Sequence, residues 1–401
     1  MFSLTSHEFR RAFCMTKKSF FHLLDLVKGD ILQDAAKATN SSGSPVTPLI
    51  KLVATICWLA GGMYIDICAV FGLSQTTFFH PLRGPLWPTI YALDVALADM
   101  VVFPTDLDSC TKAAKEFANY SRNMLQHCVC AVDGNFNLSL LLFKCTRCTA
   151  FVYVYMCILL LGLVIRTRCP SPKEMKAFAA PDLASFRNRK GCYGIVVMAA
   201  CTANLEFVFF SAKHTGSTND VVAIQGCEGG RILLDTSTTK LPPGFYGVGD
   251  EAFVCTDVLL TPWSGRGLSR DKDSFNFFLS AMRQCVERSF GVFVARWGIF
   301  RRPLTFGASK WGLVAGVCAK LHNFCIKGGE GKAGTPYAKD IQVVGDEEIV
   351  VQIDNASDED KSEPKRSGGV GSSLRRTLTT AIGEWGHIRP PTNVSRNATA
   401  T

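Results

Sequence analysis

The apolar residues of this chain follow one period up to about residue 110 and another from residue 127, and that switch limits what the chain can fold into. In the first stretch they return every three or four residues: Phe9, Phe13, Phe20, Phe21, Leu24 and Val27 stand among Arg10, Arg11, Lys17 and Lys18. This is the spacing of amphipathic helices. Asn40-Ser41-Ser42-Gly43-Ser44-Pro45 interrupts it as a loop, and Leu49 to Leu59 resumes it. From Tyr64 to Phe78 come a short helical pattern, Gly72, the apolar Leu73 and then Ser74. That order fits a helix-turn-helix, in which Gly72 permits the tight turn and Ser74 caps a recognition helix carrying Gln75 and Thr76. A plain helical hairpin is the alternative. Residues 1–110 are expected to form a helical domain.

Beyond 127 the pattern is strand-like. His127 to Val132 is a short apolar strand that stops at Asp133-Gly134, and Phe245 to Gly249 is another that stops at Asp250. Tyr193 to Cys201 and Leu205 to Ser211 read as a hairpin joined at Thr202-Ala203-Asn204. An amphipathic helix is predicted over 274–293, with Phe275, Phe278, Leu279, Met282, Val286, Phe290 and Phe293 on its core face. Strands, a hairpin and then a carboxylate-bearing helix predict an α/β domain over residues 127–325.

A length of 401 residues suits two domains and an extension, and 47% apolar content excludes wholesale disorder. The net charge is +9, but residues 346–363 hold eight acids against one lysine, a local −7, so the remainder carries +16. A basic body suits a polyanionic partner. After Cys325 a glycine-rich stretch, the acidic run and Gly368-Gly369-Val370-Gly371 read as a low-complexity tail over 326–401. Most of it is expected to be disordered, with a short helix around Leu374 to Trp385 docking on the body.

The seventeen cysteines run from Cys14 to Cys325 in no repeating frame, and an odd count argues against a disulfide scaffold. The first residues show no basic leader before an apolar core, so no signal peptide is expected. Cys145-x-x-Cys148 lacks a second pair to complete four zinc ligands. Buried, reduced thiols are the expectation. Between Arg147 and Arg166, residues 148–165 carry no charge, a run that just reaches the length of a bilayer span. Such a span would sit in the middle of a soluble fold, so a membrane location is disfavoured.

Four acids stand where metal chemistry would use them. Asp133 and Asp250 close predicted strands, Asp220 follows the turn-forming Lys213-His214-Thr215-Gly216-Ser217-Thr218-Asn219, and Glu287 flanks the apolar stripe of the long helix. Asn276, Arg283 and Glu287 share one face of that helix. Carboxylates converging from strands and a helix can hold two Mg²⁺ or Mn²⁺ ions, and such a pair clamps the attacking and leaving oxygens of phosphoryl transfer. An Asp at a strand end is also a common turn or cap residue. Arg187, Arg189 and Lys190 precede a strand, and Arg283, Arg288, Arg296, Arg301 and Arg302 cluster around Glu287. These could neutralise phosphates; ordinary solvated surface is the alternative.

Short strings in order carry a resemblance. They are Val132-Asp133-Gly134, Phe186-Arg187-Asn188-Arg189-Lys190-Gly191, Gly216-Ser217-Thr218-Asn219-Asp220 and Leu241-Pro242-Pro243-Gly244-Phe245-Tyr246-Gly247-Val248-Gly249-Asp250. Leu260-Thr261-Pro262-Trp263, Phe275-Asn276, Val286-Glu287-Arg288-Ser289-Phe290-Gly291, Arg296-Trp297 and Leu321-His322-Asn323-Phe324-Cys325 complete the series. Together they resemble transposases of the PIF/Harbinger superfamily. The resemblance implies a ribonuclease H-like DDE nuclease domain preceded by a helix-turn-helix domain. Asp133, Asp220 and Glu287 would be the catalytic acids, and Asp250 a further ligand for two divalent cations. It also implies cutting and joining of double-stranded DNA in the nucleus, a homo-oligomer on that DNA, and a separate Myb-like DNA-binding partner.

Two departures qualify the match. Asn219 stands where the family usually has histidine. Between Asp133 and Arg187 the chain carries about 35 additional residues by comparison with the family, assigned to 138–170. A translated intron or degenerate copy, a helical insert and a membrane helix are the three explanations. A decayed or domesticated relative that binds DNA without cutting it, and a single-pass membrane protein, are the alternatives to a working transposase.

Overall fold

Helices come first in the computed structural model, which describes residues 4–32, 46–133, 164–188, 191–234, 240–330, 372–386 and 389. They are α1 (Ser6–Phe13), α2 (Lys17–Ile31), α3 (Pro48–Leu59), α4 (Tyr64–Phe71), α5 (Gln75–Phe78), α6 (Leu86–Ala96) and α7 (Leu107–Ala118). Thr5, Thr16, Thr47, Ser74 and Asp106 each accept a backbone amide at a helix start, satisfying donors that the helix cannot. The turn read at Gly72 is present: this residue closes α4 at φ 62°, and Ser74 caps α5. Helix α5 itself is four residues long.

These helices share a core with the C-terminal end of the fold. Phe20, Leu23, Ile56, Leu93 and Phe117 belong to one buried cluster with Phe290 and Phe293 of α11 (Arg270–Arg296), and with Trp311, Val314 and Leu321 of α12 (Trp311–Lys327). The long helix extends the predicted 274–293 at both ends, and every residue predicted on its core face is buried.

The sheet is mixed. Its strands are β1 (Cys128–Asp133), β2 (Val164–Arg166), β3 (Gly194–Cys201), β4 (Phe207–Thr215), β5 (Tyr246–Val248) and β6 (Leu259–Leu260). Strand β1 runs parallel to β5, and β5 parallel to β6, whereas β3 is antiparallel to β1, β2 and β4. The β3–β4 hairpin turns where the sequence placed it, with Leu205 donating to the Thr202 carbonyl. Helix α11 packs beneath β1 and β3, so the sheet's buried face and the helix's apolar stripe close on each other.

The registers of β1 and β2 are informative. Val196 pairs with both Val164 and His214, and Ala199 with both Asp133 and Phe210. Strand β4 therefore takes one edge of β3, and β1 and β2 share the other. Asp133 faces Ala199 and Val164 faces Val196, three residues apart along β3. Strand β2 continues the line of β1 with room for two residues between them, although 30 residues, 134–163, separate them in the chain. The excess is 28, fewer than the additional residues expected from the sequence. Residues 164–170, assigned to that insertion, belong to the fold: Val164–Arg166 are strand and Thr167 bridges Leu304. The rest of the apolar run, with Cys145 and Cys148, lies outside the described residues.

Past α12 and residues 328–330 the described chain resumes at 372 with α13 (Ser373–Glu384); the short helix expected here to dock on the body packs on α11. Asp257 accepts from the Ser372 and Ser373 hydroxyls and the Leu374 amide, fixing that helix's start. The fourteen described cysteines are free thiols, ten of them buried. Burial pushes the Cys128, Cys201 and Cys318 thiols well up. Among the described residues, no helix is long and apolar enough to cross a membrane.

Candidate active site

Three of the four predicted acids gather around one arginine. Asp133 ends β1 with its side chain 1% exposed. Glu287 and Arg283 lie one turn apart on α11, which passes under that strand end. Arg283 Nη1 donates to Asp133 Oδ2 at 3.1 Å and pairs with Glu287 Oε1 at 3.0 Å. A single nitrogen thus bridges a strand carboxylate and a helix carboxylate. Asp250 follows β5, the parallel neighbour of β1, and its charge also acts on Arg283 and Glu287. Parallel pairing is the reason: Ala131 lies opposite Val248, so both strands end at the same edge of the sheet.

The electrostatics follow from this crowding. Burial raises the Glu287 carboxyl above the ordinary glutamate value; the Arg283 charge works against the rise and Asp250 adds to it. Burial disfavours a charged Arg283, but Glu287, Asp133 and Asp250 outweigh it and hold the guanidinium more firmly protonated. Buried like charges require such a counter-ion.

Asp220 is buried at the first position of α9 (Asp220–Gln225), whose preceding residue, Asn219, caps it by accepting the Val221 amide. The loop before it is held down by Ser217 donating to the Ser185 carbonyl. A Cβ on Gly216 would lie 2.5 Å from the Phe186 carbonyl oxygen, so that approach requires glycine. Asp250 also serves its own turn, with Oδ1 accepting the Glu251 amide at 2.7 Å.

The predicted DNA-contacting residues separate into groups. Gln75, Thr76, Arg187 and Arg288 are exposed; Arg187 lies over the Tyr193 ring and Arg288 donates to the Tyr120 hydroxyl. Arg283 is committed to the acids. Arg189 and Lys190 lie outside the described residues. Arg296, counted with the surface cations from sequence, is fully buried, and its Nη2 donates to the Glu330 carbonyl. Arg302 donates to the Gly61 carbonyl, so it ties helical segments together.

Two asparagines in the recurring strings act as backbone clamps. Asn276, which shares a helix face with Glu287, accepts from the Trp263 amide at 2.8 Å and donates to its carbonyl at 2.9 Å. Asn323 does the same to Phe207 and also donates to the Met100 carbonyl. Neighbouring His322 must donate through Nε2 to the Leu205 carbonyl, because that oxygen can only accept.

The oxygen-only donor set of Asp133, Glu287 and Asp250 suits hard divalent cations, and two of these carboxylates already hold a cation, the Arg283 guanidinium, between them. In this arrangement no group of three or more metal-ligating side chains among the described residues stands close enough to hold an ion.

Comparison with known proteins gives two likenesses. Residues 162–323 match the family model described as DDE superfamily endonuclease. The matched residues include Asp220, Asp250 and Glu287, and they begin at 162, within the last two of the 30 residues that follow Asp133. The chain is also 20% identical over 332 residues to "Protein ALP1-like" of Arabidopsis thaliana, covering 79% of this chain and 70% of that one. No solved structure matches the chain. The fold and these likenesses support a DDE nuclease class.

Proposed function

We propose that this chain is a DDE-type transposase or nuclease of the PIF/Harbinger kind, with a ribonuclease H-like core that cuts and joins double-stranded DNA. The observation that carries the reading is the meeting of Asp133 and Glu287 on Arg283, from a strand end and a helix 150 residues further along. The endonuclease match over 162–323 supports it.

Asp133, Asp220 and Glu287 are the proposed catalytic acids, with Asp250 as a further ligand for two Mg²⁺ or Mn²⁺ ions. Bound there, such ions would stabilise both the attacking and leaving oxygens of an in-line displacement at phosphorus. The protein's part is to fix the carboxylates. Asp133 is held by the β1 ladder, Asp220 by its capped helix and Glu287 by the core face of α11. Exposed Arg187 and Arg288 would neutralise backbone phosphates, with Arg189 and Lys190 beside the former. Gln75 and Thr76, exposed on α5, would meet DNA separately. Nuclear location, a second copy on the DNA and a Myb-like partner belong to the same reading.

Mg²⁺-dependent nicking of a DNA duplex by the full chain tests it. Glu287→Gln or Asp220→Asn should abolish cleavage while leaving DNA binding within a few-fold, and intact cleavage in both variants would make the carboxylates structural. A non-catalytic DNA-binding relative is the second reading. The interruption of the β1–β2 line immediately after Asp133 favours it.

A further inference from the structure

We propose that Arg283 is a resident counter-cation whose pairing with Asp133 and Glu287 excludes a divalent metal ion, so that the guanidinium must leave before an ion is held. The inference rests on the metal-dependent reading of the site.

The geometry argues for exclusion. The two N···O distances, 3.1 and 3.0 Å, are hydrogen-bond lengths, whereas Mg²⁺ sits about 2.1 Å from its oxygens. Each oxygen must move inward by roughly 1 Å to bind an ion, into the place of the nitrogen that now separates them. The Asp133 side chain is 1% exposed, and a buried carboxylate without a partner is costly. In the present arrangement Arg283 supplies the cation that Asp133 and Glu287 share.

The same side chain has somewhere to go. It is 23% exposed, on the rim of the site, and lies one helical turn from Glu287, so rotation about its own side-chain bonds releases both partners. Once released it would face solvent beside the acids, where a DNA phosphate would approach. The phosphate-binding role read from the sequence and the ion pairs in the structure then describe two states of one residue.

Mn²⁺ titration of the full chain, followed by the electron paramagnetic resonance of free Mn²⁺, tests the proposal on wild type, Arg283→Gln and Glu287→Gln. If the paired state holds nine-tenths of the wild-type population, Arg283→Gln binds Mn²⁺ about tenfold more tightly. Phenylglyoxal modification of wild type, mapped by mass spectrometry with exposed Arg288 as internal reference, supplies a readout that does not depend on the variant folding. Saturating Mn²⁺ should raise labelling of Arg283 several-fold. If Arg283→Gln binds no more tightly while Glu287→Gln loses the ion, the metal reading stands and the exclusion is wrong. Unchanged Arg283 labelling at saturation also overturns it. Absence of Mn²⁺ binding in both wild type and Arg283→Gln removes the metal reading and this inference together.

Discussion

The side-chain amide of Asn323 encloses the backbone of Phe207, accepting from its N–H at 2.8 Å and donating to its carbonyl at 2.6 Å. This locks the start of β4 to α12 from inside the core. Asn323→Ala leaves the buried backbone groups of Phe207 and the part-buried Met100 carbonyl without these partners, at roughly 1–3 kcal/mol per buried unsatisfied group. Thermal unfolding should show a large loss. A fall of only a degree or two would mean that other groups replace the amide.

Removal of residues 134–161 deletes 28 residues and joins Asp133 to Gly162-Leu163-Val164, which restores the spacing that β3 reads. Shortening the connection from 30 residues to two relieves about 2 kcal/mol of loop-closure entropy. The variant should fold cooperatively and unfold at the same temperature or a few degrees higher. A variant that fails to fold would show that β2 does not continue β1 in the way its register implies.

Glu174 gives the fold a defined acid sensitivity. Burial alone would push its carboxyl up, but the Ser171 and Ala308 amides, the Ser171 hydroxyl and Arg168 outweigh it and hold it at about 2. A depressed carboxylate contributes stability in full above the ordinary value of 4.5, and loses it as pH falls from there through about 2. Glu174→Gln should therefore destabilise at pH 7, and the gap from wild type should narrow between pH 4.5 and pH 2. A gap that stays constant would rule out the charge as its source.

Asp257 holds α13 from a distance in sequence. Asp257→Ala removes the acceptor for two hydroxyls and the Leu374 amide, a capping loss of about 1–2 kcal/mol. The effect should be local: faster proteolysis within 372–386, with the main unfolding transition nearly unmoved. Unchanged proteolysis would mean that Arg375, stacked 3.9 Å from the Trp263 ring centroid, suffices to hold the helix.

The parts of this fold legible in the sequence are those set by local period. The apolar stripe of α11 follows from a 3.6-residue repeat, and Asp133 and Asp250 are recognisable because each ends a short apolar strand. Parallel pairing of β1 with β5 then brings them together, which no local signal states. Half of the Arg283 arrangement was visible, since 283 and 287 are one turn apart; Asp133 enters from 150 residues away. Arg296 reads as a surface cation, yet its burial depends on Glu330 and Cys14, which only the tertiary fold supplies. Val164–Arg166 is a strand whose first two residues end an uncharged apolar run and whose third, Arg166, closes it, so alternation gives no cue.

Helix α11 spans 27 residues, about 40 Å. Near its start Asp273 pairs with Arg389 and Asn276 grips Trp263, while at its end the Arg296 carbonyl accepts the Cys14 thiol. Arg283 and Glu287 stand midway between these anchorages. A load applied through either terminal segment reaches the acids along one stiff strut, without crossing a loop that could absorb it.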